Sequence, residues 1–284
     1  MNRLPSHSAI FLLLAILTAF GCTAEKSQEG IHSIDELRSL FADPPSEYRS
    51  APLWDWNERI TEEGIDFQMQ EFKKAGIGGV FVHPRPGLIT EYLSEEWFKL
   101  FDYTVQKGKE LDMKVWIYDE NSYPSGFAGG HVPAQMPDSY RHGASLIMHV
   151  QDQVVQLPSD DLEVVLKKVG EEFQDITGNL EAESGSTGTY YLFEKAYPGN
   201  SPWYGGFSYV DLLYEGVTDK FLEVTMTKGY ERNQADFGHT VLGVFTDEPN
   251  LEAAMAGGSV MRWTPDLWEV FQKRWGYDLR VHLP

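Results

Sequence analysis

The strongest constraint on the fold is a set of short, mostly apolar runs that each end abruptly in polar side chains. The four runs, with the polar residues that follow them, are LWDW before Asn57; GGVFV before His83 and Arg85; KVWIY before Asp119 and Glu120; and VLGVF before Asp247 and Glu248. Continuous apolar runs of this length are typical of strands that are buried on both faces.

Amphipathic helices are predicted between these strands. Thr61 and Ser94 can each cap a helix start, and acidic residues follow both of them. The helix after Thr61 carries apolar residues at the spacing of one helical face, namely Ile65, Met69 and Phe72. Strands that alternate with such helices predict a parallel sheet covered by helices, in which chemistry gathers at the C-terminal strand ends.

A different pattern occupies residues 144–196, between the third and fourth runs. The segments SLIMHVQ, LEVVLKKV and TYYLFEKAY have the composition of β-strands separated by polar turns, which predicts a small β insertion. The alternative is a long irregular loop, which compact domains rarely contain. A helix is predicted from near Asp211, and a last helix is predicted with Trp268, Phe271 and Trp275 facing inward.

Together these elements predict an α/β fold: a partial (β/α)8 TIM barrel of about four βα units with a small inserted β region. The predicted boundaries are residues 23–51 for a tether and short helix, 52–143 for units one to three, 144–196 for the insertion and 197–284 for unit four. A complete barrel needs eight such units. We therefore expect the chain to be the N-terminal part of something larger, with the barrel incomplete.

The N-terminus, residues 1–22, reads as an export signal. Arg3 precedes an apolar run from Ala9 to Phe20 that is too short for an ordinary membrane span, and Gly21 precedes Cys22. This order predicts a bacterial lipoprotein with a lipid on Cys22, anchored to a membrane of the cell envelope, in the periplasm or at the outer membrane. An ordinary exported protein and a retained anchor are the alternatives.

Composition limits the classes of function. The formal net charge of −20 argues against a nucleic-acid partner, because little in the chain would neutralise a phosphate backbone. Cys22 is the single cysteine, which leaves the mature chain without disulfides or cysteine metal sites. The chain is rich in aromatic residues, with 8 Trp, 14 Tyr and 16 Phe. Such rings either form a bulky core or stack on sugars in a binding cleft.

Glu248 is the first candidate for a catalytic residue. It follows a buried strand at the predicted catalytic edge, and Pro249 is expected to hold it in an extended conformation. A carboxyl group in that position can act as a general acid. Substrate binding and a structural role, such as pairing with Arg85, are the alternatives. The neighbouring Asp247 is expected to orient Glu248 or to bind substrate or a metal ion.

A second acidic pair, Asp119 and Glu120, ends the third strand. Two carboxylates across a cleft suit glycoside hydrolysis, in which one protonates the leaving oxygen and the other activates water or attacks the sugar. We favour substrate binding for this pair over proton transfer. Oxygen ligands from these residues and Asp247 would suit calcium, although no EF-hand spacing is present, so the metal ligands stay unknown.

The remaining candidates bind substrate rather than react with it. His83 and Arg85 can donate hydrogen bonds to sugar hydroxyls, and Trp56 and Asn57 can line a cleft at the end of the first strand. Trp54 is assigned to the core. The sequence has no P-loop, no GxGxxG after a strand, no GxSxG and no HExxH, which removes support for nucleotide, hydride-transfer, serine-hydrolase and zincin chemistry.

The linked motifs PLWDWNERI, GGVFVHPRPGLITEYLSEEWF, KVWIYDENSYPSGFAGG and GVFTDEP together resemble glycoside hydrolase family 106, the bacterial α-L-rhamnosidases, and their uncharacterised relatives. The resemblance covers residues 52–133 and 211–284. It implies a catalytic (β/α)8 barrel, hydrolysis of terminal α-L-rhamnose from plant polysaccharides with inversion, and calcium that assists substrate binding.

The resemblance also implies a role for Glu248 as the general acid, with the catalytic base on a later strand that this chain lacks. Because that half of the barrel is missing, the chain alone is expected to be inactive as a glycosidase unless completed. The alternatives are a non-catalytic carbohydrate-binding lipoprotein and a decayed truncation.

Overall fold

The computed structural model describes residues 30–141, 145–153, 160–197, 199–251 and 260–284. The predicted signal peptide and the lipidation site Cys22 lie outside the described residues. Within those described ranges, no helix is both long enough and apolar enough to cross a membrane. Backbone contacts divide the chain into two compact units, residues 1–45 and 46–284.

The described part of the first unit contains the helix α1 (Ile34–Ala42). Ser33 begins the helix, because its Oγ accepts the backbone N–H of Glu36 at 3.0 Å. The carboxylate of Glu36 returns to the N–H of His32 at 2.8 Å. Ser33 and Glu36 thus form a capping pair, with the glutamate bonded one residue earlier than in the usual capping box.

The second unit contains the strands and the remaining helices of the described chain. The strands are β1 (Leu53–Trp56), β2 (Gly79–Pro84), β3 (Lys114–Tyr118), β4 (Ser145–Gln153), β5 (Leu162–Val169), β6 (Glu172–Asp175), β7 (Thr187–Ala196), β8 (Val241–Phe245) and β9 (Val260–Arg262). The helices are α2 (Glu62–Lys74), α3 (Glu95–Leu111), α4 (His131–Gln135), α5 (Asp138–Arg141), α6 (Leu180–Glu183), α7 (Val217–Leu222), α8 (Lys228–Asn233) and α9 (Leu267–Trp275).

The four predicted apolar runs form one parallel sheet with the strand order β1-β2-β3-β8. The connecting helices α2 and α3 begin as predicted. Thr61 Oγ1 accepts the N–H of Gly64 at 3.1 Å, and Ser94 Oγ accepts the N–H of Trp97 at 3.2 Å. Each of these helices carries the chain from the end of one strand back to the start of the next, which is the crossover that neighbouring parallel strands require.

One face of the parallel sheet packs on the helices and forms the main core. Side chains alternate between the two faces of a strand, so this face takes every second residue. It contains Trp54, Trp56, Val80, Val82, Val115 and Ile117, which pack against residues of α2 and α3 such as Ile65, Met69, Trp97, Phe98 and Phe101. At the edge strand β8, Leu242 and Val244 remain 39% and 42% exposed.

The opposite face of the parallel sheet is aromatic. Phe81 stacks on Trp116 with ring centroids 4.7 Å apart, and Tyr118 stacks on Phe245 at 5.5 Å. Phe81 also meets Phe245 edge-to-face at 5.7 Å. The row of rings therefore continues across three strands, and both faces of the sheet are apolar, as in sheets covered on both sides.

The predicted β insertion forms part of an antiparallel sheet with the order β6-β5-β7-β4-β9. The three predicted strand segments correspond to β4, β5 and β7. Sequence analysis missed β9, which follows the fourth parallel strand in the chain and pairs with β4. The fold of the second unit is thus mixed α/β, with a four-stranded parallel and a five-stranded antiparallel sheet.

Two helices differ from the predictions. The helix expected from near Asp211 begins at Val217, because the Asp211 carboxylate accepts the N–H of Leu213 at 3.0 Å and forms a turn there. In α9 the predicted inward face is only partly realised. Trp268 donates its Nε1–H to Glu163 at 2.9 Å beside the antiparallel sheet, whereas Trp275 is 61% exposed.

Candidate active site

The polar residues that follow the parallel strands all lie at one edge of the sheet. The strand register aligns Asp55 with His83 and Tyr118 with Phe245. Asp119 continues the ladder beyond β3, since its N–H donates to the carbonyl of Phe245 at 3.2 Å. The register therefore places the predicted site residues at the C-terminal edge of the sheet, but their side chains have different surroundings.

Asp119 connects the ends of β3 and β8. Its buried carboxylate accepts the hydroxyl of Ser125 at 2.6 Å and the hydroxyl of Thr246 at 2.7 Å. Burial raises the pKa of Asp119, and the two hydroxyl hydrogen bonds oppose that rise. Both oxygens are engaged, so Asp119 acts here as a bridge between strand ends.

Glu120 holds the loop of residues 121–129. Its fully buried carboxylate accepts five backbone N–H groups. The donors are Asn121 at 2.8 Å and Gly129 at 2.5 Å to Oε1, and Gly126 at 3.1 Å, Phe127 at 3.0 Å and Ala128 at 2.7 Å to Oε2. Burial raises the pKa of Glu120 to about 8, and the backbone hydrogen bonds oppose the rise. Neither oxygen is left for a substrate.

The loop 121–129 contains several residues with backbone angles that are unusual for their residue type. Ser122 and Ala128 have φ of 89° and 50°, in the left-handed region that non-glycine residues rarely adopt. Gly126 has a φ of 141°, and a Cβ there would lie 2.9 Å from Leu212 Cδ2. The energy that these residues cost is offset by the hydrogen bonds to Glu120, which define the path of the loop.

Asp247 is fixed by the same loop. Its N–H donates to Ser125 Oγ at 2.8 Å, and its carbonyl accepts the Ser125 N–H at 2.7 Å. Its Oδ2 accepts a hydrogen bond from the Tyr118 hydroxyl. Burial and this hydrogen bond to Asp247 raise the pKa of Tyr118, so the phenol stays neutral and donates. Asp247 is therefore a half-buried, oriented carboxylate.

Glu248 is exposed beyond the end of β8. Its φ is 45°, in the left-handed region, rather than the extended value expected from Pro249. The next segment is held by Tyr209, whose hydroxyl accepts the N–H of Asn250 at 3.1 Å and donates to the carbonyl of Ser125 at 2.7 Å. The backbone on both sides of Glu248 is thus anchored to the loop 121–129, and its side chain faces solvent.

His83 is buried beneath this edge and does not face solvent. Its ring stacks on Tyr118 with centroids 3.5 Å apart, and Nδ1 lies 3.3 Å from Asp55 Oδ1. Burial, with a further contribution from the charge of Arg85, lowers the pKa of His83 to about 4. The imidazole is consequently neutral at neutral pH.

Arg85 lies against two aromatic rings that also contact each other. Its guanidinium carbon is 5.6 Å from the ring centroid of Tyr123 and 5.8 Å from that of Trp203. Trp203 donates its Nε1–H to the carbonyl of Tyr123 at 2.5 Å. The three side chains form one corner at the sheet edge, held together by cation–π contacts and this hydrogen bond.

Trp56 and Asn57 are separated by their strand position. Trp56 is fully buried on the helix-covered face, where it meets Trp54 and Trp97 edge-to-face at 5.6 and 6.3 Å. Asn57 is exposed after the strand end. The structure thus brings Asp119, Asp247 and the backbone of Glu248 together through Ser125, and places Trp56 in the core.

Several residues of this edge were missed by sequence analysis. They are Tyr118, Ser125, Thr246, Tyr209, Tyr123 and Trp203. The Gly/Pro-rich run YPSGFAGG directly after a predicted strand was a signal for a functional loop, and it contains two of them. Trp203 and Tyr209 had no local signal, because they reach the edge from a distant part of the chain.

The calcium implied by the sequence resemblance finds no matching ligand set in the described chain. Among those residues there is no group of three or more His, Cys, Asp or Glu side chains placed to hold a metal ion. The oxygens of Asp119 and Glu120 already accept hydrogen bonds. Calcium binding stays a prediction.

Comparisons with known proteins give distant matches. No family model matches the chain. A segment of 119 residues is 24% identical to a protein of Formosa agariphila described as "Putative beta-glucuronidase", covering 40% of this chain and 10% of that protein. A rhamnosidase structure from Novosphingobium sp. PP1Y matches 47% of this chain and 13% of its own, with 24% identity and a TM-score of 0.31. This chain spans only about a tenth of the length of each of these relatives.

Proposed function

We propose that this chain belongs to a glycoside hydrolase in which Glu248 is the general acid, and that the substrate is a terminal α-L-rhamnoside of a plant-type glycan. The observation that carries the proposal is the contrast at the sheet edge between Glu248 and its acidic neighbours. Both carboxylate oxygens of Asp119 and of Glu120 accept hydrogen bonds inside the fold, whereas Glu248 is exposed on a backbone anchored through Ser125 and Tyr209.

In the proposed reaction Glu248 gives its proton to the glycosidic oxygen as the bond from that oxygen to the anomeric carbon breaks. A water molecule attacks the anomeric carbon from the opposite face and gives its proton to a second carboxylate, so the configuration inverts. The two carboxyl groups of an inverting enzyme lie roughly 6.5–9.5 Å apart. The base is not assigned to a described residue. Asp247, oriented by Tyr118, is proposed to bind a sugar hydroxyl beside the acid.

The proposal extends to the fold. The parallel order, the polar C-terminal edge and the aromatic face of the sheet are features expected of four consecutive units of a (β/α)8 barrel. We also propose that calcium assists substrate binding. We further propose that a lipid on Cys22 anchors the protein in the bacterial cell envelope. Loss of rhamnoside binding after chelation, and the mass of the mature N-terminal peptide, test these two parts.

The test of the general acid uses the complete glycosidase that contains this chain, as the wild type and as the variant Glu248→Gln. With a rhamnoside whose leaving group is poor, turnover should fall by about 10²–10⁴-fold, because the leaving oxygen then needs a proton. With an activated aryl rhamnoside the loss should be much smaller. Glu96→Gln, at an exposed position of α3, is the matched control and should leave turnover unchanged.

Equal turnover of Glu248→Gln and wild type on the poor leaving group would overturn the assignment. A second candidate function, a carbohydrate-binding protein without catalysis, is favoured by the corner of Arg85, Tyr123 and Trp203, in which Tyr123 is 39% exposed. Binding of rhamnosides by the wild-type chain with no hydrolysis of either substrate would support that alternative.

A further inference from the structure

Arg85 is an arginine whose charge is not matched by a carboxylate in the described chain. Other arginines of the unit form ion pairs, such as Arg232 with Asp102 at 2.6 Å and Arg262 with Asp211 at 2.9 Å. Arg85 makes no ion pair or side-chain hydrogen bond with any residue in the described ranges, although the chain has 43 acidic residues. Its guanidinium contacts aromatic rings instead.

The corner of Arg85, Tyr123 and Trp203 is rigid. The backbone N–H of Arg85 donates to the carbonyl of Trp56 at 3.0 Å, which fixes the residue to the neighbouring strand end. Tyr123 belongs to the loop held by Glu120, and Trp203 is fixed by its indole hydrogen bond to Tyr123. The rings meet edge-to-face at 5.3 Å, and Tyr123 is 39% exposed.

This combination has a specific chemical match. An exposed aromatic ring stacks on the C–H face of a sugar. A guanidinium that already lies against rings keeps its N–H donors in its own plane, and two parallel donors fit the two oxygens of a carboxylate. A single carboxylate on one ring is compatible with the acidic chain, because the local charge of the corner is positive.

We propose that this corner is a subsite for a uronic acid residue, the sugar that neighbours the rhamnose to be released. Arg85 binds the carboxylate, and Tyr123 supplies the ring on which the sugar stacks. The inference rests on the proposed function, because it names the neighbour of the cleaved sugar. It assigns the corner a role in selecting acidic over neutral glycans.

The test compares two forms of one ligand, a rhamnosyl-glucuronic acid disaccharide and its uncharged methyl ester, by titration calorimetry with the full chain. The acid should bind at least about 10-fold more tightly than the ester, as expected for a charge-assisted bidentate pair. The preference should weaken as salt is added. Equal affinity for acid and ester, or no binding of either, would overturn the subsite.

Substitutions then test whether Arg85 is the residue that causes the preference for the acid over the ester. Arg85→Gln should bind the acid and the ester equally, and Arg85→Lys should keep only part of the preference, since a lysine offers charge without the planar pair of donors. Arg274→Gln is the matched control, because Arg274 lies 5.5 Å from the Trp275 ring, outside the sheet edge, and should keep the full preference. Circular dichroism checks that each variant is folded.

The outcomes separate the two proposals. An intact acid preference, with turnover of the complete glycosidase on the poor leaving group unchanged by Glu248→Gln, would overturn the general-acid function alone. Hydrolysis of acid and ester at equal rates, with equal binding, would overturn the uronic acid subsite alone. An acid preference that persists in Arg85→Gln would also contradict the subsite, because the carboxylate would then be bound elsewhere.

Discussion

Two acidic pairs follow buried strands of the same sheet, Asp119-Glu120 after β3 and Asp247-Glu248 after β8, yet they have opposite surroundings. The residue after Glu120 is Asn121, whose N–H donates to the Glu120 carboxylate at 2.8 Å. The residue after Glu248 is Pro249, which has no N–H. The following glycine-rich loop encloses the first pair, whereas Glu248 of the second pair, which precedes the proline, stays exposed. The loop that follows, rather than the acidic pair itself, decides which carboxylate is available for chemistry.

The largest expected loss of stability follows from replacing Glu120, the enclosed carboxylate of the first pair. Glu120→Met keeps an unbranched chain of similar length but leaves several buried N–H groups without an acceptor. The free energy of unfolding should fall by about 3–5 kcal/mol. Urea unfolding followed by tryptophan fluorescence measures it.

The control is the same substitution at the other pair. Glu248→Met removes an exposed side chain and should change the free energy of unfolding by less than about 0.5 kcal/mol. If both substitutions destabilise the protein equally, the two pairs do not differ in the way the structure describes.

The sequence predicted the strands and helix starts because their signals are local. Thr61 and Ser94 cap helices next to their own positions, and the continuous apolar runs identify the four parallel strands. The pairing of β9 with β4 has no local signal, since it joins segments more than a hundred residues apart. Trp54 and Trp56 were assigned to core and cleft, although the two-residue period of a strand already places both on one face, which is the helix-covered one.

The site was predicted to the level of strand ends but not of side-chain surroundings. The carboxyl ends of parallel strands meet at one edge, so the position of Glu248 and Asp119 follows from the sheet. The burial of Glu120 depends on the path of the loop 121–129, which is set by its backbone angles and by Leu212 from another segment. Such long-range packing cannot be read from the residues around Glu120.

A second effect of Glu120 is a dependence of protein stability on pH. Its pKa is about 8 in the folded protein against an ordinary value of 4.5. Between these values the folded state binds one more proton than the unfolded state, so stability is lost as pH rises, by up to about 1.4 kcal/mol per pH unit. The difference in unfolding free energy between wild type and Glu120→Gln, measured from pH 4.5 to pH 8, isolates this contribution. A difference that does not vary with pH would contradict the raised pKa.

The smallest effect concerns the backbone of the second pair. Glu248 has a φ of 45°, which costs a non-glycine residue energy that glycine does not lose. Glu248→Gly should therefore raise the free energy of unfolding by about 0.5–1 kcal/mol. The same substitution at Glu96, inside α3, should lower it by about 1 kcal/mol. Destabilisation by both would show that Glu248 is not strained.

The five hydrogen bonds to Glu120 come from main-chain N–H groups, which every residue except proline possesses. The hydrogen bonds that hold the loop 121–129 therefore do not depend on most of its side chains. Mutations can accumulate at Tyr123, which is 39% exposed, while the path of the loop is retained, whereas Gly126 cannot change without displacing Leu212. In the proposed subsite, a point substitution at Tyr123 can therefore change which sugar is bound while the backbone of the loop keeps its path.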